Sequence, residues 1–107
     1  MTPLILIITT FGDEAAAVAA IHKLLEEHLV ACGTIIPKAK SIYSWQGKVE
    51  EAYEVVVLLK TTQSLQSVCM ERLKELHVYE VPEIIVIESA AVSEEYLAWV
   101  QKITCNL

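Results

Sequence analysis

The stretch His77-Val78-Tyr79-Glu80-Val81-Pro82-Glu83 places an imidazole, a phenol and two carboxylates just ahead of the apolar run Ile84-Ile85-Val86-Ile87. A polar, aromatic loop feeding a buried strand holds its side chains at the end of a rigid element, where binding residues are commonly placed. Imidazole with nearby carboxylates suits a divalent cation, so His77 is the expected metal ligand, with Glu80 and Glu83 close by. A second reading of the same residues stays open. Pro82 fixes its own φ, pushes Val81 toward extended geometry and supplies no donor, so the loop also reads as a stiff lead into a sheet with His77 as a hydrogen-bonded structural ring. Tight metal sites show three or four ligands at readable spacing, and no His pair at i, i+4 is present. His22 and His28 sit about 240° apart around a helix and cannot share one ion.

The elements that must position this loop follow from periodicity. Leu4 to Thr9 is an apolar run of strand length, and Phe11-Gly12 ends it before Asp13-Glu14 open a helix with carboxylates at its positive end. Ala17, Ala20, Ile21, Leu24 and Leu25 recur at helical spacing. From Val30 to Trp45 the pattern is extended, with Pro37-Lys38-Ala39-Lys40 as a bend or bulge. Gln46-Gly47-Lys48 reads as a hairpin turn, and Val49 to Lys60 forms the return strand. That hairpin exceeds the common strand length of about 5 to 6 residues, so its outer half is expected to reach a neighbouring subunit. Thr61, Thr62 and Ser64 are candidate caps for a second helix along Leu65, Val68, Cys69, Leu73 and Leu76, which His77 closes. Ser93 caps a last helix.

The order βαββαβ plus a C-terminal helix predicts an α+β, ferredoxin-like fold, with two helices on one face of a four-stranded antiparallel sheet. The other face needs the last helix or other subunits as cover.

Bulk properties limit the function classes. At 107 residues the chain suits one domain, 1–107. Apolar residues make up 54% of the chain and mean hydropathy is +0.46, a surplus that points to a homo-oligomer with a core-like interface. No uncharged run is long enough for a membrane span, and the start Met1-Thr2-Pro3 lacks the basic region of a signal peptide. A net charge of -6 with a single arginine, Arg72, argues against nucleic acid and weakly favours cations as ligands. The acidic balance fits a cytoplasmic protein. Cys32, Cys69 and Cys105 are odd in number and widely spaced, which speaks against a disulfide framework and sets the chain in a reducing compartment.

Four segments carry a family resemblance: Thr9-Thr10-Phe11-Gly12-Asp13-Glu14, Leu29 to Pro37, Ser41 to Glu50 across the hairpin, and His77 to Glu83. Together with Glu54 to Thr61 and Tyr96-Leu97-Ala98-Trp99, they resemble the CutA family, the divalent-cation tolerance proteins. The resemblance implies a cytosolic homotrimer of ferredoxin-like subunits, related in architecture to the PII signalling proteins, with long hairpins joining sheets across subunit boundaries. It implies a link to copper and other divalent-metal tolerance and, in some animal relatives, to anchoring of another protein, but no settled biochemical activity. This chain has Val78 where the family often has proline, Gly33-Thr34 where an asparagine is usual, and Ser44 before the hairpin tryptophan. Thr9 stands where some relatives carry a cysteine, which removes the thiolate a soft Cu(I) site would use.

The resemblance also implies that Tyr43, Trp45, Glu54, Lys60, Tyr79 and Glu83 converge at a subunit boundary. Aromatic walls, one cation and carboxylates suit a small-molecule cleft. They equally suit an interface network in which Lys60 neutralises Glu54 or Glu83. Enzyme readings find no support. Arg72 lies on the polar face of the second helix rather than in a phosphate loop near the first strand, as an acylphosphatase on this topology would need. No CxxC follows strand one, and no Ser-His-Asp grouping, P-loop or dinucleotide fingerprint is present. The expected function is therefore divalent-cation tolerance with weak binding of copper or another divalent ion and no catalysis. The alternatives are a PII-like sensor of a small metabolite and a structural anchoring scaffold.

Overall fold

A computed structural model describes residues 3–105. Met1 and Thr2, part of the start weighed above against a signal peptide, lie outside the described residues. Strand β1 (Leu4–Phe11) leads to helix α1 (Glu14–Glu26), strands β2 (Cys32–Trp45) and β3 (Lys48–Thr62), helix α2 (Gln66–Leu76), strand β4 (Ile84–Glu88) and helix α3 (Glu94–Ile103). The sheet order is β2-β3-β1-β4, all pairs antiparallel, as the ferredoxin-like reading requires.

Alternation along β3 decides which side is core. Val55, Val57, Leu59 and Thr61 are all buried, and with Ile5, Ile7 and Phe11 of β1 they face Ala17, Ala20, Ile21 and Leu24 of α1 and Cys69 and Leu73 of α2. Both helices therefore cover one face. On the opposite face α3 packs against β3 near Thr62, while Ile36, Ile85 and Ile87 stay 46%, 50% and 46% exposed. Apolar side chains are thus left on a face that α3 covers only at one end.

Local chemistry explains the ends of the elements. Asp13 caps α1, its carboxylate accepting from the Ala16 amide at 2.8 Å, and Ser93 caps α3 by accepting from Tyr96 N–H at 3.3 Å. Helix α1 stops with His28 at φ 59°. There the Leu29 amide donates to the Leu24 carbonyl and the His28 amide to that of Leu25, a left-handed end built without glycine. The expected caps of α2 are corrected: its N-cap is Leu65 with no side-chain bond, because a 3-10 turn over Gln63–Leu65 leads into the helix. Thr61 instead donates its hydroxyl to the Leu29 carbonyl at 2.7 Å, and Thr62 pairs with Ser64.

The hairpin bulges where expected. Register shifts between Ile36 and Ala39, with Lys38 at φ 61°. At the tip both Gln46 (φ 51°) and Gly47 (φ 79°) are left-handed, as a two-residue turn between right-twisted strands demands. Gly33 serves a different need. A Cβ there would lie 2.8 Å from Ile21 Cγ2, so its absence lets α1 settle onto β2.

Candidate functional site

The loop after α2 passes the C-terminal end of β1 and touches both layers. His77 is 8% exposed and stacks on Phe11, with ring centroids 4.2 Å apart and planes 13° from parallel. Its Nε2 donates to the Thr10 carbonyl oxygen at 2.7 Å, and its Nδ1 accepts from the Tyr79 amide at 3.1 Å. A carbonyl can only accept and an amide can only donate, so these partners place the ring proton on Nε2. Both nitrogens of the expected metal ligand are committed to backbone. A cation would have to displace one of these bonds to reach the ring. Among the described residues, no group of three or more His, Cys, Asp or Glu side chains stands together as a metal cluster.

His77 thereby fixes where Tyr79 begins, and Tyr79 spans to the hairpin. Its hydroxyl donates to Glu54 Oε2 at 3.0 Å. Burial, with help from the Glu54 carboxylate, pushes the Tyr79 phenol up to about 12. Gly12 allows the approach, since a Cβ at that position would lie 3.1 Å from the Tyr79 hydroxyl. The signal for this arrangement was present in the Phe11-Gly12 pair, an aromatic platform followed by a residue without a side chain. Periodicity assigned both only to a strand end.

Between this loop and the hairpin lies a cleft of about 770 Å³. Strand alternation puts Ser41, Tyr43 and Trp45 of β2 on the same hairpin face as Ala52 and Glu54 of β3. Tyr43, Trp45, Glu54, Tyr79 and Glu83, five of the expected cleft residues, line it together, and Glu80 joins them. Lys60 does not. It lies six residues beyond Glu54 on the same strand, roughly 20 Å away at the rise of a β-strand. There its ammonium donates to the Thr34 hydroxyl and, at 3.6 Å, to Cys32 Sγ. Within one chain Lys60 therefore does not reach Glu54; the expected neutralisation of Glu54 or Glu83 concerned a subunit boundary. Among the described residues, three carboxylates and no Lys, Arg or His line the cleft. Lys40, next to Glu54's ladder partner Ala39, is on the other face, 5.8 Å from the Tyr53 ring centroid and paired with Glu51 at 2.8 Å.

This geometry coincides with a clear relationship. The family model described as CutA1 divalent ion tolerance protein matches residues 5–103. The chain belongs to the CutA1 divalent ion tolerance family. The divalent-cation tolerance protein CutA of Escherichia coli is 43% identical over 98 residues, covering 92% of this chain and 88% of the relative. Among solved structures, CutA1 of Pyrococcus horikoshii is 40% identical with a TM-score of 0.91, covering 95% of this chain and 99% of that one. CutA1 of Ehrlichia chaffeensis is 28% identical with a TM-score of 0.95 and 98% coverage of both chains. Family membership agrees with the four segments quoted from the sequence. Among the described residues, no helix is long and apolar enough to cross a membrane.

Proposed function

We propose that this protein is a non-catalytic, trimeric cation-tolerance protein of the cytoplasm that binds copper or another divalent ion weakly at the acidic cleft. The observation that carries this reading is the unbalanced charge of the lining: Glu54, Glu80 and Glu83 without a cationic side chain. Carboxylates spread along a strand and a loop of one cleft draw a cation without enclosing it, which suits weak and exchangeable binding. Two seats are compatible with it, the carboxylates themselves and His77 Nδ1 once the Tyr79 amide lets go. The uncovered apolar face around Ile36, Ile85 and Ile87 supports the trimer, because a partner's sheet would remove it from water.

Thermal-shift titration of metal-free protein with Zn²⁺ and Cu²⁺ tests the reading, since ligand at 100 times its Kd stabilises by about 2.7 kcal/mol. Loss of the Zn²⁺ shift in Glu80→Gln/Glu83→Gln, with retention in His77→Ala, assigns the carboxylates; the reverse assigns His77. Equal shifts in all three proteins overturn the site. Zn²⁺ carries the decision because Cu²⁺ adheres to almost any donor surface. The aromatic walls of the cleft favour one further reading, a PII-like sensor that takes a small molecule there.

A further inference from the structure

We infer that Cys32 and Lys60 are an oxidative cross-linking site, joined by a sulfur–nitrogen bond when a peroxide oxidises the thiol. The site is separate from the cleft and from cation binding. Cys32 and Lys60 are directly opposed partners in the β2–β3 ladder, and the Ala31 amide donates to the Lys60 carbonyl at 2.9 Å, which fixes the register at that rung. Opposed residues keep their Cβ atoms about 4.5–5.5 Å apart on one face of the sheet. The Lys60 ammonium consequently reaches to 3.6 Å from Cys32 Sγ. Thr34, two residues along β2 and so on the same face, accepts from that ammonium and holds its hydroxyl 4.0 Å from the sulfur. Both partners belong to one chain, so the ladder sets their approach whatever another copy covers.

The chemistry needs only the oxidant and these two side chains. The Cys32 sulfur attacks one peroxide oxygen and the O–O bond breaks; sulfur loses two electrons, peroxide gains them, and sulfenic acid and water result. Lys60 then gives one proton to water, its nitrogen lone pair attacks the sulfur, and the S–O bond breaks. The departing hydroxide takes a second proton from the nitrogen and leaves as water, so a Cys32 Sγ–Nζ Lys60 bond remains. Sulfenic acids condense with a backbone nitrogen by the same displacement. The observed separation stands at the edge of the roughly 3–3.5 Å range from which bound groups react, so the amine meets the sulfur ahead of a second peroxide. Cys69 is unsuited to this role, being 0% exposed with burial pushing its thiol up to about 12. Cys32 is only partly buried. Tyr96 of α3 lies nearby, its phenol raised by burial and further by Cys32. The link removes the Lys60 charge and staples the start of β2 to β3.

Peptide mapping by mass spectrometry tests the inference on the full chain, treated with hydrogen peroxide in its native assembly and then alkylated. The expected product joins the tryptic peptides that carry Cys32 and Lys60, is lighter than their sum by two hydrogen atoms, resists cleavage after Lys60 and separates again in dithiothreitol. Lys60→Arg keeps a cation beside Thr34 but removes the amine that attacks sulfur. It should abolish the join and carry Cys32 on to sulfinic acid, with circular dichroism confirming the fold. Cys105→Ser should leave the join intact. In the parent protein, Cys32 passing to sulfinic acid without a joined peptide, or pairing as a disulfide with Cys69, Cys105 or another copy, would overturn the assignment, as would a join that persists in Lys60→Arg.

Discussion

Strand β3 is one continuous strand in two different environments. From Val55 to Thr61 every second residue is buried, whereas Val49 is 75% and Tyr53 72% exposed. The inner half is specified within the chain itself, through helices α1 and α2. The outer half has only its hairpin partner β2 and the loop around Tyr79. A two-stranded ribbon is marginal alone in water. Its stability must come from the inner strand it continues, from the loop that holds it, or from contact with other copies. The cleft lies at the border between these regimes, which gives it one wall on the subunit body and one on the ribbon.

The largest expected effect separates the two halves directly. Leu59→Ala removes a side chain that is 1% exposed in the main core and should cost about 2–5 kcal/mol in denaturant unfolding. Val49→Ala, on the same strand but exposed, should stay within about 0.5 kcal/mol for the subunit fold. Light scattering on the two variants sharpens the comparison. Should Val49→Ala lower the oligomer mass while leaving subunit unfolding unchanged, the outer half belongs to an interface; should it cost as much as Leu59→Ala, the division of β3 into two regimes is mistaken.

How much of this was legible in the sequence follows the same division. Runs such as Leu4 to Thr9 and the spacing of Ala17, Ala20, Ile21 and Leu24 reported the covered face, because burial against a helix imposes a period on the chain. Ser93 was readable as a cap because its bond is local, whereas Asp13 was read only as a carboxylate at the positive end of α1 and proves to cap it. The caps assigned to Thr61 and Thr62 were misplaced, since their hydroxyls serve Leu29, far away in sequence, and Ser64 within a 3-10 turn. In the site, the family resemblance grouped Tyr43, Trp45, Glu54, Tyr79 and Glu83, which line one cleft, with Lys60, which within one chain lies farther along β3. Residue type names a complementary charge, but strand rise sets whether it can arrive. A hydrogen-bonded His77 ring was one of the two readings, but its partners were not legible, because they are the Thr10 carbonyl and the Tyr79 amide, which no side-chain pattern announces.

Tyr79 ties the ribbon to the body, and its removal should have an intermediate effect. Tyr79→Phe deletes the bond to Glu54 at an expected cost of about 1 kcal/mol. It should raise protease cleavage or hydrogen exchange within 78–83 more than in the core. Alkaline pH tests the same bond without mutation. The phenol ionises at higher pH when folded, up to about 12 against an ordinary 10.0, owing first to burial and then to Glu54. Its contribution is fully present below pH 10 and is lost as pH rises through about 12. Phenolate absorbance should therefore lose a late-titrating component in Tyr79→Phe and keep that of Tyr96, whose phenol burial also raises. An unchanged titration in the variant would detach Tyr79 from this role.

The smallest expected effect concerns the matching tie within the helical layer. Arg72 on α2 grips Glu27 at the end of α1 through two bonds of 2.8 and 2.9 Å and also reaches Glu75 at 3.3 Å. The Arg72 guanidinium holds the Glu27 carboxyl below its ordinary value of 4.5. The sign is opposite to that of Tyr79: the contribution is present above pH 4.5 and disappears as pH falls through the lowered folded value. The two side chains are 27% and 33% exposed, so water and salt screen the pair. Arg72→Gln should melt slightly below the parent at neutral pH and low salt, and the two curves should merge in acid or in high salt. A deficit that persists under both conditions would show that the Arg72 stem acts by packing between the helices rather than by charge. The helical layer would then be held by apolar contact alone, leaving Tyr79–Glu54 as the side-chain bond by which the 78–83 loop holds the ribbon.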